Sequence, residues 1–433
     1  MLSNSSKKIN NNIVLALIIS AFLGVSISIG DFYLFHFFVI IFFVSQLYQI
    51  KENKYRLQID IFLEKYSRTI FLFCLWYVVS LLWAPSVEMG ARYIFYIFCG
   101  TIIIYSITSY SKNIERLNNF FRLVSFLISL EILIALIESF TNFRMPISSY
   151  SSISYLFGKD PINLLDNNSI LHYSSLTPPT GFRWNTNDLA ISMVIALPFF
   201  LCNKKNFVKF FGVISISFII AMTASRAVFL AMLLSYFIYL ILIKKKIGTL
   251  LFILFISTLT LFGMSILAES ENPRINEIAN SVQALSMYLS GQIDVSGSLQ
   301  WRRELIENGL RAFTNTYGLG LGAGGSTANQ EIIGAVDGRF TSMHNFWIEL
   351  LVEGGLIIAI IVILWFLRIL TSLFVISRNT KNHYLKYYSE SLFISVIVFI
   401  PAAVAASSTI YFFPMWIMLG FSISVILISE KGA

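Results

Sequence analysis

Apolar runs long enough to cross a bilayer alternate with short polar stretches along most of the chain. A membrane helix takes about 20 mostly apolar residues. On that measure the pattern predicts twelve spans, at about 13–30, 32–48, 69–84, 93–108, 119–139, 187–202, 210–223, 227–243, 247–268, 346–367, 391–410 and 412–428. The first follows Lys7 and Lys8, as in a signal peptide. No small-residue cleavage site comes after it, so an uncleaved span is expected. The seventh and eighth spans are joined only by a tight turn at Ala224-Ser225-Arg226.

The basic residues orient this array. One set of connecting loops holds twenty Lys and Arg residues, including Lys51, Lys54, Lys204, Lys205 and Lys244 to Lys246. The other set is longer and holds ten, among them Arg144, Arg183, Arg226, Arg302, Arg303 and Arg339. The positive-inside rule then places both termini in the cytoplasm. Two long segments, about 140–186 and 269–345, face outward. Long structureless loops are uncommon inside compact domains and usually carry function. Residues 1–433 are read as a single integral-membrane domain.

Composition agrees. Of 433 residues, 56% are hydrophobic and 12% charged, with a mean hydropathy of +0.74. Soluble domains carry about a quarter charged residues, so soluble, disordered and small disulfide-stabilised classes are excluded. The net charge of +8 is explained by membrane topology rather than by nucleic-acid binding. Cys74, Cys99 and Cys202 all fall in apolar stretches, which disfavours a disulfide framework or a zinc site. The fold class is an all-α polytopic membrane protein with about 12 transmembrane helices and a large, partly helical outer loop.

The second outer segment carries most of the candidate chemistry. SLQWRRELIENGLRAF, residues 298–313, reads as an amphipathic helix with Leu299, Ile306, Leu310 and Phe313 on one face. Glu307 and Arg311 are spaced for an i,i+4 pair. Arg302 and Arg303 flank the apolar stripe about equally, and periodicity leaves both open. Snorkelling interfacial arginines are the plain alternative to phosphate binding. GLGLGAGG, residues 318–325, contains G-x-G-x-x-G, but no βαβ unit fits around it. A flexible or tightly turned loop is expected, with backbone amides open to an anionic ligand as the functional alternative.

His344 comes next, just before the tenth span. It is the best placed of the four histidines for outer-face chemistry, with Glu349 and Glu353 one turn apart beyond it. Arg226 sits where a simple hairpin would favour Gly or Asn, and arginine suits phosphate through its bidentate fork. Glu131 and Glu138 lie in the fifth span. Intramembrane carboxylates mark polar cavities by default, unless neighbouring helices satisfy them. The outer loops hold no Asp-x-Asp, paired-His or G-x-S-x-G motif, so a metal-dependent nucleotide-sugar transferase or a serine hydrolase has little support.

SRAVFLA (225–231), the 298–313 helix, GLGLGAGG and HNFWIELLVEGGL (344–356) occur in this order, preceded by GFRWNTNDLAISMVIALPFF (181–200). Over about residues 180–360 the set resembles the O-antigen ligase and polymerase superfamily of bacterial membrane glycosyltransferases. The resemblance implies a C-type glycosyltransferase-like fold in the bacterial cytoplasmic (inner) membrane, with its active site on the outer face. The implied donor is a saccharide on undecaprenyl diphosphate, and the acceptor a saccharide or lipid-saccharide hydroxyl. No cofactor and no metal are implied. Partners would be membrane lipids and other polysaccharide-assembly proteins, and no nucleic acid.

By this likeness His344, Arg302 and Arg226 are the catalytic candidates, and Arg302 is preferred to Arg303. Arg303, Arg183, Trp184, Asn187, Trp301 and Glu353 are candidate substrate contacts, with Trp184, Trp301 and Tyr317 able to stack on sugars. The implied reaction is direct displacement with inversion. Polymerisation of O-antigen or capsule-like surface-polysaccharide repeat units is favoured over ligation to lipid A core. The reading from another class is a flippase or transporter of the same lipid-linked sugar. That would require more intramembrane charge than this sequence carries.

Overall fold

The computed structural model describes residues 2–30, 32–51, 66–158, 178–246, 298–333, 342–406 and 410–431. The predicted ninth span, 247–268, and much of both outer segments lie outside them. Thirteen α-helices are described: α1 Leu2–Leu23, α2 Leu34–Lys51, α3 Ser67–Ser80, α4 Val87–Tyr110, α5 Ile114–Phe140, α6 Thr186–Leu201, α7 Asn206–Thr223, α8 Arg226–Ile238, α9 Ser298–Asn315, α10 Gly325–Ile332, α11 Phe346–Asn379, α12 His383–Ala402 and α13 Phe413–Lys431. One antiparallel pair, β1 Ser28–Ile29 with β2 Phe32–Tyr33, joins α1 to α2. Among the described residues, seven helices are long and apolar enough to cross a membrane, and four shorter apolar helices accompany them. The chain is an all-α, multi-pass membrane protein.

Side-chain oxygens set several helix starts. Asn113, Asn185, Asn345 and Asn382 each accept a backbone N–H from the first turn that follows, at 2.9–3.3 Å. The cap at Asn382 explains why α12 begins before the predicted 391–410 span, and the chain leaves the helix after Pro401. The α7–α8 connection is closed by Ala224 in a left-handed conformation, φ 54°.

The helices pack through close apolar contacts. α12 packs against α6, α8 and α11, and α13 against α4. A Cβ at Gly100 would collide with the Trp416 ring, and one at Gly420 would press on α4 at Ile104. Small residues thus bring membrane helices together where no water can drive association. The α7–α8 turn, the starts of α6 and α11 and the close of α12 gather at one end of the bundle, called here the upper end. The Phe346 N–H donates to the Ala403 carbonyl at 3.3 Å across that gathering.

α11 is two helices joined at a break. Gly355 adopts φ 79°, ψ 174°, so Phe346–Gly354 is a separate upper segment. The break frees backbone groups that must find partners away from water. The 318–325 segment supplies them. Leu321 N–H donates to the Val352 carbonyl at 2.7 Å and Gly322 N–H to the Glu353 carbonyl at 3.0 Å. Leu356 N–H returns a bond to the Gly318 carbonyl at 3.0 Å.

Candidate functional site

The glycine-rich segment is tightly turned, as one of the two plain readings of its composition expects, with Gly318, Gly320, Gly322 and Gly324 at positive φ, and it is packed as a strap rather than flexible. Gly320 (φ 90°) lies against the broken helix, where a Cβ would come within 2.5 Å of the Glu353 carbonyl oxygen. Its amides are committed to the protein: Gly320 N–H to Thr316 Oγ1, Ala323 N–H to Ser80 Oγ, and those of Leu321 and Gly322 to α11. An anion-binding role for these backbone groups is therefore set aside.

The strap leads into α10, whose start is bonded to Glu353. Ser326 Oγ donates to Glu353 Oε1 at 2.6 Å, and Tyr77 O–H reaches Oε2 at 3.5 Å. Glu353, fully buried, ties α10 and α3 to the upper segment of α11. Hydrophobic patterning does not point to Ser326 or Tyr77, because their partner lies 27 and 276 positions away.

α9 packs against the same upper segment. Its buried face runs through Leu305 and Gly309, with Arg302 half-buried one turn before. That face is rotated from the predicted apolar stripe, because Gly309 lets α9 close on Met343, the residue before His344. Arg303 projects outward, 2.7 Å from Glu307, so Glu307 pairs with Arg303 as well as being spaced for Arg311. The structure thereby separates the two arginines that periodicity left equivalent.

Arg302 stands electrostatically between His344 and Arg226. Burial first, and the charge of Arg302 second, lower the His344 pKa to about 4. Burial, then the charge of Arg226, also push the Arg302 guanidinium below its ordinary value, although arginine stays charged at any physiological pH. Arg226 is exposed at the first position of α8. His344 itself adopts a left-handed φ of 48°, uncommon for a residue with a side chain. Its Nδ1 is buried and has no hydrogen-bond partner among the described residues. A neutral imidazole therefore stands beside the Arg302 cation, which in turn feels Arg226, an arrangement suited to an anion on the arginines and a proton acceptor beside it.

The other candidates lie elsewhere. Arg183 is buried, with Nε 2.9 Å from Glu131 Oε1 and its Nη1 donating to the Phe22 carbonyl at 2.9 Å. Glu138 accepts backbone N–H groups of Thr180 and Gly181, both at 2.7 Å, and of Met145 at 3.0 Å. The two carboxylates of the fifth span thus find partners within the protein, one in an arginine and one in the loop it anchors. Trp184 and Asn187 are half-buried around the start of α6, and the Trp184 carbonyl accepts from Ser149 N–H at 3.1 Å. Tyr317 is fully exposed on the strap. The Trp301 side chain lies outside the described residues.

A family model described as O-Antigen ligase matches residues 211–363, the stretch that holds Arg226, Arg302, the strap and His344. The chain is also similar to the teichuronic acid biosynthesis protein TuaE of Bacillus subtilis (strain 168). The two are 24% identical over 375 residues, covering 84% of this chain and 72% of that protein.

Proposed function

We propose a reaction for this chain from the premise that it belongs to the O-antigen ligase and polymerase superfamily. It is a polysaccharide-assembly enzyme of the membrane, glycosyltransferase-like in class. In our reading the upper end faces outward from the bacterial cytoplasmic membrane, with both termini in the cytoplasm. The donor is a saccharide on undecaprenyl diphosphate. The acceptor is a sugar hydroxyl of another lipid-linked chain, so that the product is a longer surface polysaccharide.

The carrying observation is the sequence of charges from His344 through Arg302 to Arg226. A diphosphate leaving group develops negative charge as the anomeric C–O bond breaks, and preorganised arginines stabilise it without a metal. Neutral His344 accepts the proton of the attacking hydroxyl as the new glycosidic bond forms. One displacement at the anomeric carbon gives inversion. Arg302 also keeps the imidazole unprotonated before the donor arrives. A diphosphate bound there offsets the arginine charge and makes His344 a stronger base when the reaction needs it.

The second reading is ligation of the finished polysaccharide to lipid A core, favoured by the description of the matching family model. The name of the relative supports an envelope polysaccharide as product. The test is a reconstituted reaction with an undecaprenyl-diphosphate oligosaccharide from the native pathway, run in EDTA. A ladder of longer lipid-linked sugars from the wild type, absent from folded His344→Ala, is the expected result. Transfer only to an added acceptor would establish the ligase. A ladder from His344→Ala would remove the proposed base.

A further inference from the structure

Away from the site, an apolar cavity of about 220 Å³ lies between α5, α6, α7, α12 and α13. It exceeds the cavity of about 150 Å³ that holds benzene in a protein core. α5 and α7 meet near the upper end, where Phe140 stacks on Phe218 at 5.2 Å. Below that contact the cavity lies between them, floored by Phe199 and Phe421. Ser129 on its wall is exposed, so the cavity opens sideways.

The wall is mostly apolar; the carboxylate on it, Glu131, is held by Arg183, and several of its hydroxyls are bonded to backbone carbonyls. Ser129 Oγ donates to the Ser125 carbonyl at 2.8 Å, and Ser192 Oγ to the Asp188 carbonyl at 3.0 Å. Tyr387 O–H donates to the Phe199 carbonyl at 2.7 Å. A groove of this kind, open sideways from a membrane bundle, admits a hydrocarbon chain.

The lower mouth is cationic. Arg122 follows the cavity-lining Phe121, and Lys204 and Lys205 follow the cavity-lining Asn203; all three are exposed. Lys209 is nearby, its amine bonded to Tyr239 O–H at 3.0 Å. Glu390 is the carboxylate facing this group, and Lys204, Lys244, Arg378 and Lys386 all act on it. The balance remains strongly positive. Basic pockets between membrane helices select anionic head groups.

We infer that this groove is a binding site for an anionic phospholipid, with one acyl chain between α5 and α7 and the phosphate at Arg122, Lys204 and Lys205. The groove is distinct from the His344 site and does not depend on the reaction assigned there.

The test is native mass spectrometry of the detergent-solubilised full chain, equilibrated with equal amounts of phosphatidylglycerol and phosphatidylcholine. Preferential retention of phosphatidylglycerol by the wild type is expected. Arg122→Gln/Lys204→Gln/Lys205→Gln should weaken that retention by about fivefold for each charge removed. Ser129→Trp, which fills the open side, should displace the lipid with the cations intact. Equal retention of the two lipids by the wild type would overturn the proposal, without reliance on any variant. So would an unchanged preference in both variants, or displacement of phosphatidylglycerol by undecaprenyl phosphate, which would give the groove to a polyprenyl chain instead.

Discussion

Ser326 and Glu353 are joined by a 2.6 Å hydrogen bond that fastens the start of α10 to the upper segment of α11. The bond is buried, and a typical hydrogen bond contributes about 0.5–1.5 kcal/mol. Glu353→Ala should lower the thermal midpoint of the purified protein and reduce activity in proportion to the unfolded fraction. Glu353→Gln, which keeps an acceptor for Ser326, should recover much of both. A normal melting curve for Glu353→Ala with a raised KM would show direct substrate contact instead.

Arg302 and Arg303 should separate cleanly in kinetics. Arg302→Ala removes the half-buried cation that we assign to the leaving group, and a fall in kcat of about 10²–10³ is expected. Arg303→Ala removes one member of an exposed pair with Glu307. Such pairs contribute about 0–1 kcal/mol, so its activity should stay near wild type. Equal losses in both variants would contradict the assignment.

The pH profile of kcat/KM reports the free enzyme. In the proposed role His344 accepts a proton when neutral, and its pKa is lowered to about 4, so the acid limb should fall near pH 4 rather than 6.5. In Arg302→Gln the limb should move upward, because one of the two causes of the shift is gone. The linkage sign follows. A depressed histidine contributes stability that is fully present above about pH 6.5 and is lost as pH falls from there through about 4. His344→Gln should flatten that part of the pH–stability curve.

The Arg183–Glu131 pair predicts a stability effect rather than a binding effect. Removing one partner of a buried pair strands the other, at a cost of about 3–5 kcal/mol. Arg183→Ala and Glu131→Ala should each destabilise strongly, and the double variant should lose less than their sum. A double-mutant cycle by thermal denaturation measures the coupling. Additive losses, with KM raised in Arg183→Ala alone, would return Arg183 to substrate binding.

Much of this architecture was legible from hydrophobic periodicity, since eleven of the twelve predicted spans correspond to described helices. The burial of Arg302 rather than Arg303 was not legible in the periodicity, and only the family likeness preferred Arg302. Gly309 governs that burial by admitting Met343, and a glycine contributes nothing to an apolar stripe. The strap was equally hidden. GLGLGAGG advertises conformational freedom, whereas its conformation is imposed by the broken helix at Gly355, 30 or more residues downstream. Glu131 and Glu138 showed as intramembrane charges, but their partners arrive from the loop around residues 144–183.

The break at Gly355 bears on how the enzyme meets a changing bilayer. Membrane helices respond to thickness by tilting. An unbroken α11 would transmit that tilt to His344 as a lever nine residues long. The joint instead leaves Phe346–Gly354 bonded to the strap and α10 and packed against α9, so His344 and Arg302 share one mount. Because Leu356 beyond the break is bonded to the same strap, a tilt of the spanning part would reach His344 and Arg302 through one shared body and move them together rather than one past the other.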